Sequence, residues 1–196
     1  YRDCSNDETK MINLVDKVIS GVALIVMFPV ILGVAVVVFV IHGPPIFKQQ
    51  RIGKDGKKFY LYKFRTMPAD TPNCPTHQLA KVKMDKVSLA LRRFKLDELP
   101  QLVNVLRGEM SLVGPRPCLP SQIDLIEARN NKMLLRYQPG ITGLAQIQGV
   151  DMSEPELLAE IDAKMMTELT LVSYFRYLVL TLLGRGRGDR LDSHAR

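Results

Sequence analysis

The sequence predicts an α+β domain that is predominantly α-helical and attached to a membrane. Three observations lead there. Val18 to Ile41 runs for 24 residues without a charge. Asp55-Gly56 is a turn signal between two short alternating runs, which specifies a small hairpin. Leu99, Leu102, Val103 and Leu106 fall at the i, i+3, i+4, i+7 spacing of one helix face, and Gly108 follows as a stop.

The elements follow in order. As a helix, the Val18–Ile41 run would be about 36 Å long, against a hydrocarbon core of ~30 Å. The mixed charges before it, its length and the lack of a small-residue cleavage site set it apart from a signal peptide. Pro29 stands near its middle, where it removes a backbone donor, and Gly33 weakens it further. Lys48, Arg51, Lys54, Lys57 and Lys58 downstream mark a cytoplasmic flank. A kinked spanning helix and a helix that enters, bends at Pro29 and returns both fit.

"HGPPIF" breaks the chain, and the hairpin lies within "QQRIGKDGKKFYLYKFRTM". Residues 68–78 are a loop with three prolines, and a helix is expected from about Leu79 to Arg93. After the helix of the Leu99 stripe, "GPRPCLP" is a rigid turn and Ser121–Arg136 reads as helix. "QPGITG" is another turn, and Ser153–Glu156 reads as a capping box opening a helix to about Glu168. Leu169–Leu183 is apolar on nearly every side yet short for a span, as suits an interfacial or a buried helix. The basic "GRGRGDR" after it reads as a flexible tail able to touch anionic lipid.

The chain has 196 residues, enough for one domain with its own core. A net charge of +7 suits a polyanionic partner: nucleic acid, anionic lipid or phosphate esters. Cys4, Cys74 and Cys118 are odd in number and far apart, which excludes a disulfide framework or a C-x-x-C zinc site.

Against this basic background, Asp97-Glu98 stands directly before a proline and a helix. One account is local: Asp97 caps the helix, Glu98 complements its dipole, and Pro100 sits in the first turn. The other is chemical. A carboxylate at a helix start stays ionised and could act as a nucleophile, beside N–H groups that favour phosphate. Cations stand near in sequence: Arg92 before the pair, Lys63 in "YKFRTM" and Arg116 in "GPRP". Each could instead be a solvated surface charge. Pro115 and Pro117 make a stiff mount for a phosphate-reading guanidinium.

"YKFRTM", "LDELPQLVNVLRGEMSLVGPRP" and "PGITGLAQI", in this order after a proline-broken apolar run, resemble the bacterial sugar transferase family. These are the monotopic phosphoglycosyl transferases, relatives of the undecaprenyl phosphate galactose and bacillosamine phosphotransferases. The resemblance runs from about Lys10 to Gly186 and is to the small, catalytic-core-only members. It implies transfer of a phosphosugar from a UDP-sugar, with a lean to an N-acetylated deoxy-amino sugar, to polyprenyl (undecaprenyl) phosphate, releasing UMP. Asp97 matches the attacking carboxylate and the likeliest Mg²⁺ ligand, and Glu98 its partner. Lys63, Arg92 and Arg116 match the cationic, phosphate-binding positions; Pro117 beside Arg116, and Thr142 in the "PGITG" loop with Pro139 and Gly140, are implied to line the same phosphate or nucleotide site. The implied fold is monotopic. Residues 1–42 dip into the membrane around Pro29, 43–186 form the cytoplasmic core of the same domain, and 187–196 are a tail.

Two departures stand out, Phe28 where a serine is common and Gln138 where a base is common. The expected partners are a UDP-sugar, polyprenyl phosphate and lipids of the bacterial inner membrane at its cytoplasmic face, with no nucleic acid. A homodimer is compatible with these features and required by none. The rivals are a non-catalytic basic scaffold on anionic lipid and a metal-dependent nucleotide-sugar glycosyltransferase, whose D-x-D is absent from the sequence.

Overall fold

The computed structural model of the chain describes residues 6–68 and 84–185, which are mainly helical with two small sheets. Cys4, Cys74, the start of the helix expected at Leu79 and the tail expected at 187–196 lie outside the described residues.

The apolar run belongs to one long helix, α1 (Asn6–His42), and Pro29 sits inside it, with helical backbone on either side. Among the described residues it is the one helix long and apolar enough to cross a membrane. One face of α1 packs on the body of the protein in two stretches, on either side of an exposed segment around Pro29. Ile12, Val15, Ile19 and Leu24 pack on the main core, and Val34 and Val38 are buried against Phe64 and Leu91. The other face leaves Val18, Val22, Ile25, Leu32, Val36 and Phe39 exposed.

The hairpin forms as the Asp-Gly signal requires. Strands β1 (Ile46–Ile52) and β2 (Lys58–Phe64) pair antiparallel, with Ile46 opposite Phe64 and Ile52 opposite Lys58. Asp55 (φ 56°) and Gly56 (φ 71°) take the left-handed conformations that reverse the chain. Helix α2 (Lys86–Arg93) is capped by Asp85, whose side chain accepts from the Val87 and Ser88 amides. Helix α3 (Gln101–Leu106) forms where the stripe predicts and ends before Gly108 at φ 74°, but its buried face is Gln101, Leu102, Asn104 and Val105: Leu99 precedes the helix and Leu106 is exposed.

A second sheet was not foreseen. Strand β3 (Ser111–Val113) pairs parallel with β4 (Gly140–Thr142), which sets the GPRP and PGITG loops side by side. The approach is close enough to demand glycine. A Cβ on Gly114 would come within 2.7 Å of the Gln138 carbonyl oxygen, and one on Gly140 would run into the Gly114 backbone.

Three helix limits need correction. The helix expected from about Leu79 does not run unbroken to Arg93, because Asp85 is extended (φ −73°, ψ 163°) and caps a helix that starts at Lys86. The helix expected over Ser121–Arg136 is α4 (Ile123–Asn131), then a left-handed Met133 (φ 55°) and a single 3₁₀ turn, Leu134–Arg136. Asn130 and Asn131 explain the early end, because their side chains compete for the backbone. After the short α5 (Leu144–Gln148), helix α6 (Pro155–Thr167) begins without the expected capping box. Its N-cap is Glu154, which makes no side-chain cap bond. Ser153 is drawn away instead, its amide and hydroxyl both donating to Asp151 Oδ1.

Helix α7 (Leu171–Leu182) opens with a Thr170–Ser173 capping box. Its inner face buries Tyr174, while Val172, Phe175, Val179 and Leu182 form an exposed apolar stripe. The Tyr174 hydroxyl donates to Asp16 of α1, which also accepts from the Leu112 amide at 2.9 Å. One buried carboxylate thereby joins α1, α7 and β3.

Candidate active site

The acidic pair lies in a 3₁₀ turn, Leu96–Glu98, one step before α3. Lys95 enters this turn at φ 55°, a conformation uncommon for a side chain with a Cβ. The capping account of Asp97 therefore fails: the N-cap of α3 is Pro100, with no side-chain cap bond. The 3₁₀ turn places Asp97 too early to reach the free amides of α3. It leaves Asp97 only 7% exposed.

The two carboxylates stand in different surroundings. Glu98 is tied down: Lys63 of β2 donates to its Oε1 at 3.0 Å, and Arg116 Nη1 lies 3.5 Å from the same oxygen. Among the described residues none donates a hydrogen bond to the Asp97 side chain. Their acidities diverge accordingly. Burial pushes the Asp97 carboxyl up to about 6, with Glu98 adding to the rise and Lys63, Arg92 and Arg116 opposing it. Burial acts on Glu98 in the same direction, but Lys63, Arg116 and Lys95 outweigh it and hold that carboxyl at about 2. One carboxylate is locked as an anion among cations, and the other is more basic, as a carboxylate able to act as an oxygen nucleophile would be.

The structure brings Lys63, Glu98 and Arg116 into contact beside Asp97, from a strand, a turn and a loop far apart in sequence. Arg92 stands at the end of α2, where its Nε donates to Thr66 at 2.9 Å. Pro117 contributes through its backbone, its carbonyl accepting from Arg51 Nη1 at 2.9 Å. Thr142 is 2% exposed, and its hydroxyl pairs with that of Thr181 in α7 at 2.5 Å. Gln138, which stands where a base is common, donates to the Gly108 carbonyl at 2.7 Å.

Sequence reasoning missed Lys95. Burial lowers its ammonium pKa, while the Glu98 charge opposes that shift. Its place immediately before the turn of the pair was the available signal.

The donor set fits Mg²⁺ of one kind only. No group of three or more His, Cys, Asp or Glu side chains is poised for a metal among the described residues. An all-protein cage is thereby excluded there. A Mg²⁺ ion held by a single carboxylate, with waters and substrate phosphates completing its shell, needs no such group. Asp97, without a hydrogen-bond donor of its own, would be the carboxylate that holds it.

A carboxylate of raised basicity, ringed by Lys63, Lys95, Arg92 and Arg116, suits attack on a phosphorus centre whose oxygens those cations hold.

Comparison with known proteins places the chain in a family. The bacterial sugar transferase family matches residues 8–185. The chain is 40% identical over 150 residues to the UDP-glucose:undecaprenyl-phosphate glucose-1-phosphate transferase of Xanthomonas campestris pv. campestris, covering 74% of this chain and 31% of that protein. Identity to the enzyme of the same name from Caulobacter vibrioides is 42% over 131 residues, 61% of this chain and 49% of the relative. To the uncharacterized sugar transferase EpsL of Bacillus subtilis it is 39% over 151 residues, 76% of this chain and 73% of the relative. The matched region is thus about a third to a half of the two enzymes named for UDP-glucose, and nearly three quarters of EpsL. A match across nearly the whole chain, with the buried dyad and its cations in place, shows that the protein belongs to the bacterial sugar transferase family.

Proposed function

We propose that the protein is a phosphoglycosyl transferase that moves a sugar phosphate from a UDP-sugar to undecaprenyl phosphate through a covalent intermediate on Asp97. The observation that carries this reading is the asymmetry of the pair. Glu98 is neutralised by Lys63 and Arg116, whereas Asp97 is buried, makes no salt bridge among the described residues and is more basic. An Asp97 oxygen attacks the β-phosphorus of the UDP-sugar. The bond from that phosphorus to the bridging oxygen breaks, and UMP leaves with the oxygen. An oxygen of undecaprenyl phosphate then attacks the same phosphorus and displaces Asp97. Lys63, Lys95 and Arg116 hold phosphate oxygens, with Arg92 adding positive potential from α2. Asp97 would hold Mg²⁺, which when bound would supply neutralisation of the diphosphate charge.

The Xanthomonas and Caulobacter relatives carry glucose in their names, which makes UDP-glucose the first donor to try, ahead of the N-acetylated sugars. With UDP-sugar and Mg²⁺ alone, the protein should release up to about one equivalent of UMP and then stop. Adding undecaprenyl phosphate should restart turnover. Steady release without the lipid, or none with any UDP-sugar, would rule the reading out.

Arg116→Lys keeps the charge but loses the planar fork. Single-turnover UMP release should slow by about tenfold or more, since a hydrogen bond to a charged group is worth about 1.5–3 kcal/mol. A lysine variant at full rate would make Arg116 a surface charge.

We infer further that α1 dips into the cytoplasmic leaflet of the inner membrane and does not cross it. Both halves of the helix are packed on the same protein body, and its last residue, His42, bonds Ser88 at 2.9 Å. A spanning helix would carry one half away from that body. The exposed apolar faces of α1 and α7 then meet lipid, and Pro29 lowers the cost of a bend. In a background lacking the native cysteines, new ones at positions 8 and 55 should both be labelled only from the cytoplasm. Periplasmic labelling at position 8 would establish a spanning helix. Pro29→Ala should move some molecules toward it.

A further inference from the structure

We propose that Arg129, with Asp162 behind it, is a positioning residue for Arg116, acting through the backbone of the 115–118 loop. The inference rests on the phosphate-binding role given to Arg116 above.

Every carbonyl of this loop is held by a donor from another part of the fold. Pro115 O accepts from the Gly140 amide at 2.9 Å, and Cys118 O from the Ile52 amide at 2.9 Å. Between them, Arg116 O accepts from Arg129 Nη1 at 2.7 Å, and Pro117 O from Arg51 Nη1 at 2.9 Å. Pro115 and Pro117 have no N–H, so the loop has few donors with which to brace itself. Two guanidinium groups, one from the hairpin and one from α4, supply what the prolines lack. All four carbonyl oxygens are engaged by protein donors. None of these negative dipole ends is left to oppose a phosphate at Arg116.

Arg129 is built for this task. It is 3% exposed, and its Nη2 donates to Asp162 Oδ2 of α6 at 2.7 Å, while Asp162 is 1% exposed. Its Nε has no partner. As a staple between α4 and α6, a buried ion pair offers little that apolar side chains would not. What apolar side chains cannot supply is the N–H directed at Arg116 O. Asp162 fixes the guanidinium so that this N–H stays in line. A displacement of about 1 Å at a substrate-holding group can cost about 100-fold in rate.

The test uses the full chain in detergent or native membrane. Arg129→Lys keeps a charge for Asp162 but cannot serve both partners with a rigid fork. Melting temperature, amide exchange over residues 112–120 and single-turnover UMP release from UDP-glucose are measured together. The expected result is a melting temperature near wild type, faster exchange in that stretch and UMP release slowed about 10- to 100-fold. In an Arg116→Ala background, Arg129→Lys should cost nothing more, because it acts through the residue already removed. An unchanged release rate would overturn the proposal. So would the same fold-loss with and without Arg116, which is how a purely structural pair behaves. Should Arg129→Lys not fold, Arg51→Met carries the same comparison through the Pro117 carbonyl. A wild-type chain that releases no UMP from any UDP-sugar would sink the activity reading instead. The clamp would then stand or fall on amide exchange, and unchanged exchange over 112–120 would refute it.

Discussion

Asp97→Asn should abolish the covalent phosphosugar adduct and UMP release, by a factor of about 1,000 or more, while leaving the protein folded. Asparagine has the size of aspartate but no anionic oxygen to attack phosphorus. The wild-type protein, incubated with UDP-sugar and Mg²⁺, should gain the mass of one phosphosugar, lost on treatment with hydroxylamine as an acyl phosphate is. The variant should gain nothing. An intact adduct on Asp97→Asn would remove Asp97 from the nucleophile's role.

The same variant carries a stability signature, best read in metal-free solution. The Asp97 carboxyl has its pKa raised from an ordinary 3.8 to about 6, so the folded state binds the extra proton between those values. Wild-type stability should therefore fall as pH rises from about 4 to about 6 and stay level above, at a cost on the order of 3 kcal/mol. Asp97→Asn removes that cost. Its melting temperature should match wild type near pH 4 and exceed it at pH 7. A variant less stable than wild type at pH 7 would show that the Asp97 charge is favourably paired in the fold. Catalytic groups held at a cost in stability are a common compromise.

Much of this was legible in local sequence. The hairpin was, because Asp55-Gly56 supplies the two left-handed residues its turn uses. The existence of α3 and its end were, because Gly108 stops it in a conformation that glycine tolerates best, although the buried face is not the one the stripe named. The gathering of Lys63 and Arg116 around the pair was expected from the cations of the quoted motifs. The exact turn was not, since Lys95 reverses the chain without a glycine to announce it. Nor was the β3–β4 pairing, because three-residue strands carry no period and parallel pairing is decided by distant segments. Arg129 and Asp162 read as ordinary helix charges. Only the meeting of α4, α6 and the GPRP loop in space shows that both are buried.

Glu98→Gln should be the most destabilising single change at the site, and should slow adduct formation without erasing it. The Glu98 carboxylate is the counter-charge for Lys63 and Arg116, and its pKa is lowered from 4.5 to about 2. Its stabilisation is fully present above about pH 4.5 and is lost as pH falls toward 2. Glutamine removes the carboxylate bonded to those cations, and breaking a buried pair from one side costs about 3–5 kcal/mol. The loss should be largest near neutral pH and shrink on acidification, which thermal melts at two pH values would show. The chemical effect is of another kind. Without the neighbouring negative charge, the Asp97 carboxyl should ionise at lower pH and become a weaker nucleophile, while Lys63 and Arg116 lose the group that holds them in place. Together these should slow the first transfer by about 10- to 100-fold, with the adduct still accumulating on Asp97 at long times. Peptide mapping of the trapped adduct decides between the two carboxylates. Phosphosugar on Glu98 in the wild type, or complete loss of adduct in a Glu98→Gln protein of wild-type stability, would exchange their roles.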